Sequence, residues 1–337
     1  MEKKINFNNL KSTFVIAEIG VNHEGDFDVA CDLIKKAAAC NVDAVKFQTF
    51  KAEHYVSSIQ PERKERVKKF EFSNAEFQKL AKYASELGVT FFSTPLHPND
   101  IDVLVDIAPI IKISSGDLTH LQLIKYAAST GKPLIVSTGL GTRNEIFNAI
   151  STIEKERPEI REEGGLVLMH CVAAYPTPVE EANIRNINWL RDEFGYPVGY
   201  SDHTLGIKAC ELAIAAGAIV VEKHFTYRKE EQDFHDHMIS ADPKDLKLLV
   251  EAIREAELYC GKYERERGKT EKKLLKHMRR SIGAAKDIKA GIEIREEDLT
   301  FLRPAWGIGP ESYDILIGAK LKRDVKPGDL INKEDLV

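Results

Sequence analysis

Tyr200-Ser201-Asp202-His203-Thr204 and Val221-Glu222-Lys223-His224-Phe225-Thr226 are the two stretches from which the fold of this chain is read. Each closes a short apolar run and sets a histidine just beyond it. Residues 205–216 between them read as one helix, so the unit is strand–helix–strand, with parallel strands ending on the same side. Neighbouring strands lie about 5 Å apart, close enough for both imidazoles to reach one metal ion. His203 and His224 are therefore candidate metal ligands, flanked by Asp202 and Glu222. Taken singly, His203 reads as well as a helix cap and His224 as a core histidine. Their pairing on adjacent strand ends favours the ion.

The same unit recurs along the chain. Eight β-rich runs, at 14–19, 44–48, 90–94, 110–114, 133–137, 166–171, 197–201 and 219–224, alternate with helical stretches. The helices are clearest at 26–40, 74–87, 121–130, 143–155, 205–216 and 242–260, with Asp26, Asn74 and Asp242 as N-caps. This alternation predicts an α/β fold with a parallel sheet, and eight units predict a closed (β/α)₈ TIM barrel. An open doubly wound sheet is the alternative, but no Gly-x-Gly-x-x-Gly turn follows the first run.

Polar residues gather where the runs end: Glu18, Lys46 with Gln48, Ser93 with Thr94, and Lys112 with Ser114 and Ser115. They continue with Ser137 and Thr138, His170, Ser201 with His203, and Glu222 with His224. Residues two apart share one face of a strand, and barrel enzymes build their sites at the carboxyl ends. A lysine buried there needs an anion. Lys46 and Lys112 with Ser115, Ser137 and Ser201 thus predict a cradle for phosphate and carboxylate, with salt bridges to Glu18 or Asp117 as the plainer reading. Glu18 and Glu222 suit acid–base work or hydrogen bonds to sugar hydroxyls. Tyr175 sits on a loop stiffened by Pro176 and Pro178. His235 and His237 read as exposed loop histidines.

At 337 residues with 43% hydrophobic and 30% charged side chains, this is the composition of an ordinary globular protein. A net charge of −5 and no basic cluster interleaved with aromatics argue against nucleic acid. The N-terminus lacks the apolar core of a signal peptide, and no apolar run is long enough for a membrane span. Five cysteines without metal spacing suggest reduced thiols and a cytoplasmic location.

Beyond Gly261 the character changes. Residues 1–262 are assigned to the barrel and the charge-dense 263–280 to a solvated, partly helical linker. Residues 281–337 contain a repeat. Asp287-Ile288-Lys289-Ala290-Gly291, Ile294 and Glu297-Asp298-Leu299 recur as Asp324-Val325-Lys326-Pro327-Gly328, Ile331 and Glu334-Asp335-Leu336. A compact, two-fold, β-rich module is expected there.

The chain resembles the sialic acid synthase family. The resemblance rests on Ala17-Glu18-Ile19-Gly20-Val21-Asn22-His23-Glu24-Gly25, Val45-Lys46-Phe47-Gln48-Thr49, Ser93-Thr94-Pro95 and Lys112-Ile113-Ser114-Ser115-Gly116. It continues through Ser137-Thr138-Gly139, Tyr175-Pro176-Thr177-Pro178, Ser201-Asp202-His203-Thr204 and Glu222-Lys223-His224-Phe225, and the terminal module resembles that family's antifreeze-like (SAF) domain. The resemblance implies condensation of phosphoenolpyruvate with an N-acetylated amino sugar, assisted by Mn²⁺, or by Mg²⁺ or Co²⁺, on His203 and His224. It implies that Lys46, Lys112, Ser115, Ser137 and Ser201 grip phosphoenolpyruvate. Glu18, Gln48, Tyr175 and Asp236 would face the sugar, with Thr94 and Asp117 also binding substrate, and Glu222 would handle protons. It further implies a domain-swapped homodimer in which Arg303 serves a partner's barrel. Members acting on N-acetylmannosamine usually carry Glu where Asp117 stands, often Asn where Ala173 stands, and commonly a Gly-Pro-Asp run near Phe234-His235-Asp236-His237. These departures leave N-acetylmannosamine and a legionaminic- or pseudaminic-type precursor both open. A Schiff-base lyase using Lys112 and a non-catalytic carbohydrate-binding protein are the remoter alternatives.

Overall fold

The computed structural model describes residues 5–229 and 235–337, which form two compact units, Met1–Gly261 and Lys262–Val337. In the first, β1 (Phe14–Gly20), β2 (Ala44–Thr49), β3 (Thr90–Pro95), β4 (Ile111–Ile113), β5 (Leu134–Ser137), β6 (Leu166–Cys171), β7 (Val198–Asp202) and β8 (Val220–His224) close in chain order. Every neighbouring pair is parallel, including β8 with β1. The fold is the TIM barrel that the alternating pattern predicts.

Strand period explains how the site is delivered. Side chains alternate in and out, and the lower inward layer is apolar: Ile16, Ala44, Phe92, Ile135, Met169 and Val220 pack there as one buried cluster. Two residues further along the same strands stand Glu18, Lys46, Thr94, Ser137, Cys171 and Glu222. The outward face packs on the surrounding helices through a second, larger cluster that includes Leu33, Leu80, Ile124 and Leu249.

That parity corrects three residues placed at the mouth from sequence, the first being Thr138, whose Oγ1 donates to the Met169 carbonyl at 3.0 Å instead of lining the cavity there. Ser93 and His170 are one residue out of phase and point away from the barrel axis. Ser93 Oγ bonds Thr49 Oγ1 at 2.7 Å, and His170 Nε2 bonds the Ala182 carbonyl at 2.8 Å. Cys171 takes the inward place on β6.

Local chemistry sets the helix starts. Asp26 accepts from the backbone N–H groups of Asp28 and Val29, and Asp242 from that of Asp245. The helix Asn74–Glu86 is capped by Ser73 rather than Asn74, because Ser73 and Glu76 complete a capping box. The helix expected over 205–216 is confined to Lys208–Ala215, since Gly206 takes a left-handed φ of +78° and turns the chain first.

In the second unit, the helix Lys269–Met278 buries none of its residues. β9 (Ser281–Ala284) pairs antiparallel with β10 (Leu299–Leu302) over a small core of Ile282, Ile288, Ile294, Leu321, Val325 and Ile331. The sequence repeat is a structural one: Ile288 and Val325 exchange both backbone hydrogen bonds at 3.0 Å. Asp298 and Asp335 accept the backbone N–H of Arg295 and Asn332 in equivalent turns. The five cysteines are free thiols, and among the described residues no helix is long and apolar enough to cross a membrane.

Gly199 lies where β7 is pressed between its neighbours. A Cβ there would sit 2.4 Å from Met169 Sδ and 2.6 Å from the Val220 carbonyl oxygen, which cannot swing aside. Gly199→Ala is expected to lower stability by about 1–3 kcal/mol in urea unfolding. A wild-type midpoint would show that the strands yield more than this packing implies.

Candidate active site

The barrel mouth encloses a cavity of about 750 Å³, room for two small substrates together. The residues given a catalytic, substrate or metal role from the sequence all line it except Asp117 and Arg303. Asp117 lies in a short turn, Ser115–Asp117, and accepts from Ser114 Oγ at 2.6 Å. Arg303 is an exposed residue of the second unit, just after β10.

Two ammonium and two carboxylate groups share the floor. Lys46 Nζ lies 2.8 Å from Glu18 Oε1 and 3.8 Å from Glu222 Oε1, and donates to Thr94 Oγ1 at 3.1 Å. Lys112 Nζ lies 3.6 Å from Glu222 Oε1, which also accepts from Ser201 Oγ at 3.1 Å. Ser115 Oγ meets Cys171 Sγ at 3.0 Å, so the thiol lines the site as well. The second oxygens, Glu18 Oε2 and Glu222 Oε2, are buried without a hydrogen-bond partner.

This arrangement drives the two acids apart. Burial pushes Glu18 up to about 7, with Lys46 opposing and Glu222 reinforcing the rise. Burial also works against Glu222, but Lys112, Lys46 and the Ser201 hydroxyl outweigh it and hold this carboxyl below its usual value. Lys46 loses solvation yet is raised by Glu18 and Glu222, whereas burial lowers Lys112 more than Glu222 restores it. Glu222 has a lysine on either side and ionises first; Glu18 retains its proton longest.

The two histidines stand opposite this set. Their ring centroids are 5.5 Å apart, and Tyr175 packs 4.2 Å from the His203 ring. His203 Nδ1–H donates to the Val172 carbonyl at 2.7 Å, leaving the Nε2 lone pair free. His224 Nδ1 is buried and unpartnered. Burial lowers both pKa values, so both rings are neutral, as metal ligation requires. Among the described residues no group of three or more His, Cys, Asp or Glu is placed to hold a metal ion. An orphaned ring nitrogen beside a free lone pair fits a divalent ion that leaves most positions to substrate and water.

The loop after β8 departs from expectation. His237 is 0% exposed, not a solvent-facing loop residue: Nδ1 meets Thr226 Oγ1 at 2.6 Å and Nε2 meets Glu24 Oε1 at 3.2 Å. It ties the short helix His235–Ile239, which carries Asp236 to the cavity, to the loop after β1. Asp233 and Phe234 lie outside the described residues.

One wall was not anticipated. Phe50, Tyr55, Arg63, Arg66, Val67 and Phe70, from the connection between β2 and β3, also line the cavity. The available signal is length: residues 50–89 carry two extra short helices before the helix Asn74–Glu86, and βα connections of a barrel border its mouth.

The sequence matches the NeuB family over residues 33–265 and the SAF domain over residues 279–337. It is 38% identical to an N,N'-diacetyllegionaminic acid synthase of Legionella pneumophila, over 94% of this chain and 92% of that protein. It is 32% identical to a pseudaminic acid synthase of Campylobacter jejuni, over 98% of each. Among solved structures, N-acetylneuraminic acid (sialic acid) synthetase from Leptospira borgpetersenii, in complex with citrate, superposes with a TM-score of 0.75. The two are 33% identical, over 80% of this chain and 94% of that one.

Glu18 gives a pH signature. Its folded pKa near 7 exceeds the usual 4.5, so the folded state binds this proton more tightly and stability from this group falls as pH rises between those values. In chelator-treated protein, Glu18→Gln should therefore be more favourable at pH 8 than at pH 5, by about 2.5 kcal/mol in urea unfolding. An equal effect at both pH values would mean that the buried carboxyl is not raised.

Proposed function

We propose, since the chain belongs to the NeuB family and ends in a SAF domain, that its barrel condenses phosphoenolpyruvate with an N-acetylated aldehyde sugar to give a nonulosonic acid and phosphate. The observation that carries this reading is the cavity floor. Two lysines and three serines suited to a phosphate and a carboxylate face two carboxyl groups of opposite protonation.

Lys46 and Lys112, with the hydroxyls of Ser115, Ser137 and Ser201, bind the phosphate and carboxylate of phosphoenolpyruvate. Gln48, Thr94, Tyr175 and Asp236 orient the sugar. The π electrons between carbons 2 and 3 of phosphoenolpyruvate form the new bond from carbon 3 to the aldehyde carbon; the C=O π bond opens, its oxygen becomes a hydroxyl, and carbon 2 is left electron-poor. Glu18, protonated near neutrality, supplies that proton through its unpartnered Oε2. Water then adds at carbon 2, and Glu222, already ionised, takes its proton. The bond between carbon 2 and the phosphate oxygen then breaks, inorganic phosphate departs with the hydroxyl proton of carbon 2, and a 2-keto acid is left. A divalent cation on His203 and His224, Mn²⁺ foremost with Mg²⁺ or Co²⁺ as substitutes, supplies Lewis-acid polarisation of the aldehyde oxygen. The SAF domain serves a second copy in a domain-swapped homodimer, with Arg303 acting on the sugar there.

For the sugar we favour the 6-deoxy diacetamido class that yields an N,N'-diacetylated acid. Support comes from the 38% identity to the Legionella synthase and from Ala173, a small side chain on the cavity wall. Asp117 is bonded to Ser114 and does not line the cavity, so it takes no part in holding the sugar in this reading.

Phosphate release from phosphoenolpyruvate, measured with Mn²⁺ and a panel of amino sugars, tests both levels. The diacetamido sugar should exceed N-acetylmannosamine in kcat/KM by about tenfold or more, the worth of one or two well-placed contacts. The reverse order would reassign the sugar, and no release with any sugar would favour a binding protein. His224→Ala should abolish turnover with far-UV circular dichroism unchanged, and chelator should do the same to the wild type. Borohydride trapping with pyruvate should leave Lys112 unmodified; an adduct would replace the metal-assisted route with Schiff-base chemistry.

A further inference from the structure

Behind the two histidines, on the outward face of β7 and β8, lies an ion pair that the chemistry above does not use. Asp202 and Lys223 are cross-strand partners in the β7–β8 register, and their exposures are 0% and 2%. Lys223 Nζ donates to Asp202 Oδ2 at 2.8 Å and to the Thr204 carbonyl oxygen at 2.5 Å. Asp202 Oδ1 accepts from Tyr200 Oη at 3.0 Å and from the Thr204 backbone N–H at 2.9 Å. The Cys210 thiol, on the helix Lys208–Ala215, approaches Oδ2 at 3.4 Å.

The residues held in this way are the two that flank His203, and the residue holding them directly precedes His224. One ammonium group thus fixes the chain on both sides of the first histidine from the strand that carries the second. The His203 backbone is pinned further by Thr177 N–H, which donates to its carbonyl at 2.9 Å. Packing alone does not call for charge here: Val221 and Phe225, neighbours on the same face of β8, are apolar and fully buried. An apolar pair of the same volume would avoid the desolvation penalty that a buried ion pair carries. What the charged pair adds is direction, through donors and acceptors of fixed geometry.

We propose that Asp202 and Lys223 are positioning residues that set the separation of His203 and His224 for one divalent cation. The inference rests on the metal reading given under the proposed function. Its test is titration of chelator-stripped protein with Mn²⁺, following the free-ion electron paramagnetic resonance signal, alongside urea unfolding without metal. The neutral pair Asp202→Asn/Lys223→Met keeps acceptors for Tyr200 and Thr204. It should unfold near the wild-type midpoint while binding Mn²⁺ about 10–100-fold more weakly, the usual effect of removing an outer-shell partner. If the neutral pair does not fold, Lys223→Arg, which keeps the charge but moves the donors, should show the same loss of affinity at a near wild-type midpoint. Wild-type Mn²⁺ affinity in whichever of these variants folds, or a loss of affinity only in step with a loss of stability, would overturn the positioning role alone. Absence of Mn²⁺ binding by the wild type would overturn the metal reading and this inference with it.

Discussion

A closed parallel barrel turns every second side chain inward, and at the mouth of this one that places Lys46, Lys112, Glu18 and Glu222 in a single buried group. Four ionisable groups removed from water are tolerable only while each charged one stays within reach of an opposite charge or a hydrogen-bond partner. The geometry of the mouth is therefore not free to relax. A slip of one residue in any of the contributing strands would send its charge into the apolar shell between sheet and helices. The register of β1, β2, β4 and β8 is fixed from below by the apolar layer and from above by the electrostatics of the site.

The same constraint explains the unequal protonation of the two acids. Glu18 and Glu222 have the same side chain and comparable burial, and both approach Lys46. What differs is Lys112, which stands beside Glu222, and the Ser201 hydroxyl, which donates to it. Two carboxylates that share a cation compete for it, and the one with additional donors ionises first. An acid and a base then coexist near neutral pH without any difference in covalent chemistry.

Much of this was legible in the sequence because period two converts a list of residues into a face. Lys46 with Gln48, Ser201 with His203, and Glu222 with His224 declare their common direction by spacing alone. Parity also separates the exceptions, since His170 and Ser93 are polar residues at strand ends on the opposite phase. Other features had no local signal. His237 is buried by Glu24, 213 positions earlier in the chain, and a loop histidine carries no mark of so distant a partner. Asp117 is held by Ser114, a contact three residues long that a strand-end reading overlooks. Part of the cavity wall, Arg63, Arg66 and Val67, comes from the helix Pro61–Lys68, which buries no residue of its own, so its amphipathic pattern is weak.

The outward faces of β7 and β8 bear on why the two histidines are dependable. A strand pair with chemistry on one face is normally secured by apolar packing on the other, which resists separation but only weakly resists sliding. Here the reverse face carries a buried carboxylate with four donors around it, among them a lysine that also takes the Thr204 carbonyl. Sliding β8 past β7 would break several directional contacts at once and leave charges unpaired in an apolar setting, a far steeper cost than trading one methyl contact for another. Ser201 and Glu222 repeat the restraint on the inward face, one residue away. The two strands are thus held in register from both sides at the level where the imidazoles emerge, so the separation of His203 and His224 is set by the frame itself.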